Sequence, residues 1–492
     1  MKKLSPLRIL AMLLIIPIQL FSQWVKKGND INGAAADNLS GSAVSINGDG
    51  TTVLIGSPGN GVVASYEGSG RVFLWNGTTW QQMGAAIFGE YPIDQFGYSV
   101  SINEAGTIIA LGAIGNSGNG MYSGHVRVYE WDGIAWIQLG ADIDGSEPGE
   151  GSGHVSLNAA GNIIAIGAPH SDGNGVSSGQ VRVYEWSSGN WIQKGNDMEG
   201  EATEDISGQC VSLNNTGDVV AIGAPWNDGN GFMAGHVRIY EWNGSAWIQK
   251  GNDIDGEDPG DGTGFSVSLS GNGNTVAIGD PGNSDAASYA GQARIFDFNG
   301  TDWVQKGGDI YGYAANDYSG SSISLSDGGD TVAIGAWEDS GWPIGFVHIF
   351  SWNGSSWIQV GNKITANCCG VASSIGLNNR GNVVAIGAYL TGNADGQVTV
   401  WEDITVGVSD IANKNQVNVI PNPSTNEMTI NLGQRFESIT VSIKNNIGQI
   451  LRTETFYDVE KIQHDFKLLP GYYFAEISSD QEYIATARFL KM

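Results

Sequence analysis

One tryptophan recurs along this chain at Trp24, Trp80, Trp136, Trp191, Trp247, Trp303 and Trp357, in steps of 56, 56, 55, 56, 56 and 54 residues. Each opens a Trp-x-Gln-x-Gly segment or a near variant, inside a longer phrase that is clearest in one copy. There Gly-His-Val-Arg-Ile-Tyr-Glu-Trp (235–242) leads into Asn-Gly-Ser-Ala-Trp-Ile-Gln-Lys-Gly, an acidic loop, Gly-Phe-Ser-Val-Ser-Leu and Thr-Val-Ala-Ile-Gly. A fixed period of this size means one supersecondary unit that buries its apolar face only against its neighbours. At 492 residues the chain is long enough for several domains, but the repeats make 24–403 one object.

Each unit holds four strand candidates, exemplified by 97–103, 163–169, 126–131 and 191–195. Val126 and Val128 alternate with Arg127 and Tyr129, which is strand periodicity. The second strand is apolar on both faces, as a strand buried between sheets must be. Asn76-Gly77, Asn243-Gly244, Asn299-Gly300 and Asn353-Gly354 link the third and fourth strands; Asn-Gly supplies the positive φ of a tight turn. These also match glycosylation sequons, but the turn alone explains them. Strands one and two are joined by equally short links such as 158–161.

Four-stranded sheets repeated seven times satisfy their edges by closing into a circle. The expected fold is all-β: a seven-bladed β-propeller closed by its N-terminal strand, plus a small C-terminal β-sandwich. The ends support closure, because the fourth-strand signature appears at Trp24 before any complete unit, and the last unit (371–377, 383–388, 397–401) lacks its fourth strand. Segment 24–28 is expected to pair beside 397–402. The predicted division is 1–22 signal peptide, 23–407 propeller and 408–492 tail.

The formal charge of −28 is concentrated in the repeats, where residues 23–407 hold 41 acidic and 12 basic side chains. Such a surface repels phosphate backbones and argues against nucleic acid as a partner. Residues 1–8 are basic and 9–21 almost wholly apolar, an export signal with cleavage near Ser22 or Gln23. No later segment is apolar enough to span a bilayer. Three cysteines are too few for a disulfide framework. Cys210 takes the place of Ser99 or Ser266, a small buried position; Cys368 and Cys369 are either a vicinal disulfide or two free thiols.

Phe96-Gly97-Tyr-Ser-Val, followed by strands such as Ile164-Ala-Ile-Gly-Ala-Pro169, resembles the FG-GAP repeat of integrin-type seven-bladed propellers, over about 380 residues. Gly335-Ala-Trp and Gly387-Ala-Tyr depart from its Gly-Ala-Pro element. The acid before the first Gly (Asp94, Asp205, Asp317) reads as a local loop cap. In that family calcium sits between strands one and two on an Asp-x-Asp-x-Asp-Gly loop. Here those loops read Asn103-Glu-Ala-Gly106 or Asn378-Asn-Arg-Gly381, too short and too poor in acids for six to eight oxygen ligands. No metal site is carried over and no cofactor is expected.

Loops from strand four to one and from two to three share one face and are long and variable, which makes that face the recognition surface. Integrin-like propellers engage partners there. The strand-four-to-one loops carry an acidic crescent (Asp142, Asp144, Glu147, Glu150, Asp197, Glu199, Glu201, Glu204, Asp205), densest at Asp253, Asp255, Glu257, Asp258 and Asp261, where a calcium ion is the alternative to solvated charge. Tryptophans that recur in every blade (Trp131, Trp186, Trp242, Trp352, Trp401) read as packing between sheets. Trp226, Phe232, Tyr289, Trp337, Trp342 and Tyr389 read as irregular aromatics of the strand-two-to-three loops, suited to sugar stacking or protein contact. His125 and His236 share a position with Arg71, Gln180, Gln292 and Phe346, and His170 stands alone, so no histidine-centred catalytic or metal set is visible.

Near Val406 the repeats stop. Val419-Ile-Pro-Asn-Pro, Asn446-Ile-Gly-Gln-Ile-Leu451 and Leu469-Pro-Gly-Tyr-Tyr-Phe474 lie among short alternating strands. In this order they resemble the C-terminal sorting domain of type IX secretion substrates in Bacteroidetes. The resemblance implies periplasmic passage, export by the type IX machinery, tail removal, and release or surface attachment. The expected function is a secreted or surface-attached, non-catalytic propeller that binds an extracellular protein or glycan. The alternative is a polysaccharide lyase or glycosidase.

Overall fold

The computed structural model describes residues 24–59, 66–338, 344–365, 371–391, 394–404, 418–420, 428–445, 450–464, 471–479 and 482–491. The signal segment, Trp342, Cys368, Cys369 and the Pro-Asn-Pro of the tail lie outside them. Contacts divide the chain into Gln23–Asp403 and a second unit that includes Ile404–Met492.

Gln23–Asp403 is a β-propeller of seven antiparallel sheets. In the second blade the strands are Ser99–Ile102, Ile108–Ala113, His125–Trp131 and Trp136–Gln138, paired in that order. The sequence pattern predicts four strands, but each blade has five. After Gln138 the Leu139 N–H still bonds to Val128 O at 2.8 Å; the chain then swings out through Gly140, φ 82°, and returns as Ile143–Asp144 on the same edge of the third strand. Buried Ile143 anchors the return. The Asn-Gly links are also looser than expected: four residues separate the paired Trp75 and Trp80, only Gly77 takes positive φ, and Asn76 Oδ1 accepts the Thr78 and Thr79 N–H groups. His125 corresponds to Ser69 rather than Arg71, because these two residues face Ala113 and Ser57 in matching registers.

The seventh blade joins both ends of the repeats. Trp24–Lys26 and Ile31–Asn32 pair with Gln397–Asp403, Trp24 opposite Asp403, Lys26 opposite Trp401 and Ile31 opposite Val398.

Three circles of hydrogen bonds explain the repeated phrase. At the periphery each outer-strand tryptophan donates its indole N–H to a carbonyl of the preceding blade: Trp80 to Lys27, Trp136 to Met83, Trp191 to Leu139, Trp247 to Lys194, Trp303 to Lys250, Trp357 to Lys306 and, closing the circle, Trp24 to Val360, at 2.6–3.2 Å. Six of these seven indoles also lean on an aromatic ring of their own third strand, as Trp136 on Trp131, 5.3 Å between centroids, whereas Trp24 lies opposite Asp403. The glycine of the motif lies beneath: a Cβ on Gly140 would stand 2.7 Å from Trp186.

Nearer the axis, the second serine of Ser-Val-Ser-Leu accepts a free edge N–H from the next blade. Ser45 serves Ile102, Ser101 serves Leu157, Ser156 serves Leu213, Ser212 serves Leu269, Ser268 serves Leu325 and Ser324 serves Leu377. An innermost strand has one unpaired edge, and these hydroxyls satisfy it. At the closing junction Gly376 stands in the serine's place, and Ser374 Oγ accepts the Val44 N–H instead.

The third circle runs through the turns between strands one and two. The N–H of Gly48 donates to Glu104 O, Glu104 to Ala159, Ala159 to Asn215, Asn215 to Gly271, Gly271 to Asp327, Asp327 to Asn379 and Asn379 back to Gly48, at 2.9–3.2 Å. These short turns form a rigid annulus, with the Asn215 amide reaching Asp327 at 2.8 Å.

In the second unit Asn418–Ile420, Met428–Asn445, Ile450–His464, Gly471–Ser479 and Glu482–Lys491 form one antiparallel sheet. Ile430 and Leu432, then Ile439, Val441 and Ile443 after a break in register, keep to one face and bury against Ile462, Tyr473, Ala475 and Ile477. The expected sandwich is thus, in its described strands, a single sheet.

Candidate functional site

The long loops that share one face are knitted together. Gly151, Ile206, Gly262 and Tyr318, on strand-four-to-one loops, donate their N–H groups to the carbonyls of Tyr122, Ser177, Met233 and Tyr289 on strand-two-to-three loops. All of these paired residues have left-handed backbone, with φ 51° at Tyr289 and 46° at Tyr318. The acids before the Gly are caps: Asp94 Oδ2 accepts the Glu90 and Tyr91 N–H groups, Glu150 that of Ser146, Asp205 those of Glu201 and Ala202, and Asp317 those of Tyr313 and Ala314. These bonds fix the backbone of the face in place.

On this scaffold the Tyr289 and Tyr318 rings stack, centroids 5.7 Å apart and planes 26° from parallel, and Tyr318 meets Trp337 at 5.8 Å. Tyr289 and Trp337 are exposed, Tyr318 half-buried between them. Three rings from two blades thereby form one platform. Tyr318 is absent from the sequence-predicted set, because it hides in the Asp-x-Ser-Gly loop; an aromatic residue at x is the signal that marks it. Trp337 differs from expectation, since it belongs to the second strand, Thr331–Glu338, facing Gly345. Phe232 and Tyr289 are not irregular: Phe232, 68% exposed, takes the position of exposed Met121 and Val176, and Tyr289 that of Tyr66, Tyr122 and Met233, all at positive φ. Trp226 is exposed in its loop and Tyr389 half-buried in a turn.

The acids do not form one crescent in the loops. Asp144, Glu199 and Asp255 sit in the returning outer-strand segments. Burial and then neighbouring acids, Asp142, Asp197 and Asp253 respectively, raise their carboxyls above the usual range. The dense run Asp253, Asp255, Glu257, Asp258 and Asp261 divides by role. Asp261 is buried, accepting the Asp258 N–H at 3.1 Å; Glu257 lies 3.9 Å from Arg294; Asp253 accepts from the Gln249 amide. Of these five, only Asp253 falls in a group of three candidate metal ligands, with Glu201 and His236; a parallel group joins Glu90, His125 and Asp142.

Near the inner strands, Tyr98 and His154 break the repeat pattern and meet edge to face at 5.5 Å. Burial raises the Tyr98 phenol and pushes His154 down to about 4. Between blades, Arg71, Arg127, Arg238 and Arg294 each send a guanidinium to a carbonyl of the preceding blade's outer segment: Asn32, Phe88, Glu199 and Asp255. These arginines hold sheets together.

Residues 418–491 match the family described as the secretion system C-terminal sorting domain. The protein is accordingly secreted or held at the outer-membrane surface, and its tail engages the type IX machinery. Among the described residues no helix is long and apolar enough to cross a membrane. The repeats give no match to the FG-GAP family. No curated protein matches the chain. Solved structures of similar fold include hydrazine synthase of Kuenenia stuttgartiensis, with 10% identity, 77% of this chain and 99% of that chain covered, and a TM-score of 0.51. Raptor of Chaetomium thermophilum gives 11%, 78%, 29% and 0.51, and the β-propeller domain of the Trilobed protease from Pyrococcus furiosus 11%, 75%, 94% and 0.41. At such identities the likeness concerns the fold alone.

Proposed function

We propose that this secreted propeller is a binding protein whose loop face takes an extracellular glycan, with the Tyr289–Tyr318–Trp337 platform as its principal contact. The stacked, outward-facing rings carry this reading: an apolar sugar face packs on such rings while its hydroxyls find the surrounding carboxylates. The FG-GAP resemblance points to the same face, since integrin-type propellers engage partners there. A protein ligand would use the same rings as a hot spot. The enzymatic alternative draws its support from Tyr98 and His154 at the inner rim. Their edge-to-face packing and opposed shifts suit a packed pair better than proton transfer, which requires hydrogen-bond reach.

Glycan and extracellular-protein arrays probed with the full chain test the reading. Retention of a glycan without its depolymerisation, lowered about tenfold or more by Tyr289→Ala with Trp337→Ala, is the expected result. Turnover of a polysaccharide, or retention that ignores the double substitution, overturns it.

A further inference from the structure

The His125 ring is 1% exposed and directs Nδ1 at Asp142 Oδ2 across 3.6 Å. Glu90 reaches in from the loop between blades, so that one ligand atom from each of the three side chains lies within 4.8 Å of the others. Two blades further on, Glu201, His236 and Asp253 repeat the arrangement: Nδ1 of His236, also 1% exposed, stands 3.9 Å from Glu201 Oε2 and 3.9 Å from Asp253 Oδ2. These gaps exceed hydrogen-bond length, and both Nε2 atoms are buried without a partner. Each buried imidazole turns Nδ1, not the orphaned Nε2, toward its carboxylates without reaching them, and that gap leaves room for an ion. Ligand atoms about 2.0–2.2 Å from a tetrahedral zinc sit about 3.4 Å from one another.

We propose that each triad binds one divalent transition-metal ion of the zinc type, through one imidazole nitrogen and two carboxylate oxygens. Nitrogen ligation and only three side chains suit zinc rather than calcium, which takes six to eight oxygens. Arg127 and Arg238 face the two glutamates: Arg127 Nη1 lies 3.7 Å from Glu90 Oε1, and Arg238 Nη1 3.6 Å from Glu201 Oε1. The guanidinium opposes a nearby cation. Asp94 beside His125, and Asp205 and Asp255 about the His236 cluster, counter it. The acids are partly exposed, which leaves solvent or ligand access to a fourth position.

The full chain, stripped with chelator and dialysed, is titrated with zinc by calorimetry and with cobalt(II) by visible absorption. The native chain is expected to take two ions, one per triad; His125→Gln or His236→Gln each removes one, and the double variant removes both. Glutamine is chosen because Gln180, Gln292 and Gln397 hold this position in other blades. Glu90→Gln with Glu201→Gln leaves both imidazoles in place and is expected to weaken both sites at least tenfold, so the test survives a folding defect in the histidine variants. No binding by the native chain, or two ions retained by either double variant, overturns the proposal.

Discussion

The indole nitrogen of Trp24 donates to the carbonyl of Val360 at 3.2 Å, joining residues 336 positions apart. The same bond at other junctions ties blades that the chain already links, as Trp191 to Leu139. At Trp24 it helps fasten two ends with no short covalent path between them.

Truncation at this joint is therefore expected to differ in kind from truncation elsewhere. Trp24→Ala loses a buried ring, about 3–5 kcal/mol, and frees the edge of Gln397–Asp403. Trp24→Phe forfeits mainly the hydrogen bond, about 1 kcal/mol. Urea denaturation and limited proteolysis follow both. Trp24→Ala is expected to expose the seventh blade to cleavage at denaturant levels where Trp191→Ala remains protected. Equal protection would mean that the closing strand is not the weak point.

Two glycines in one blade separate backbone strain from packing. Gly133 has φ 100° with open space around its Cβ direction, whereas Gly140 has φ 82° and lies under Trp186. Gly133→Ala is expected to cost about 1–2 kcal/mol, the left-handed penalty alone. Gly140→Ala adds displacement of the indole and is expected to cost at least about 1 kcal/mol more. Thermal denaturation, with tryptophan fluorescence reporting the indole, distinguishes the two; equal losses would show that the contact yields freely.

The blade count, the strand types and the closing pair of Trp24–Lys26 with Gln397–Asp403 were legible because each recurs with a period or falls at its end. The returning segment at Ile143–Asp144 was not, since two residues carry no periodicity. Trp337 read as loop because the other blades mostly place Pro or a turn after the second strand. Proline has no N–H and ends pairing, whereas tryptophan lets the strand run on to Glu338 opposite Ile344. The Glu90–His125–Asp142 group was hidden for another reason: its members come from three segments, and the histidine position tolerates glutamine and phenylalanine elsewhere.

Acid lability is expected from four histidines. His125, His154, His236 and His348 are lowered to about 4, by burial first. Unfolded, they titrate near 6.5. Between these values the unfolded chain binds protons that the folded one refuses, so this stability is complete above pH about 6.5 and falls as pH drops toward about 4, each site approaching about 1.4 kcal/mol per pH unit. Asp280, its carboxyl raised by burial against the opposing Arg294, acts in the other direction and softens the acid end. In metal-free buffer the melting temperature should fall from pH 6.5 to 4.5, and His125→Gln with His236→Gln should reduce that slope by about half. An unchanged slope would locate the acid sensitivity elsewhere.

Asp280 also suggests how another blade is stabilised. Its buried carboxylate accepts the Gln292 amide at 3.0 Å and Arg294 Nε at 2.7 Å. The matching position in the fourth blade is Ala224, opposite His236 as Asp280 is opposite Gln292. There both His236 Nε2 and Arg238 Nε are buried without a partner. Asp280→Ala is expected to cost about 3 kcal/mol, the low end for breaking a buried pair, because Arg294 keeps Asp255 O and Thr263 Oγ1. Ala224→Asp supplies one acceptor to two orphaned donors, and the gain, about 1 kcal/mol, should exceed the burial of a carboxylate beside a guanidinium. Urea midpoints measured at pH 7 decide the matter: a rise for Ala224→Asp supports the pairing, and a fall would show that desolvation of the carboxylate outweighs both bonds.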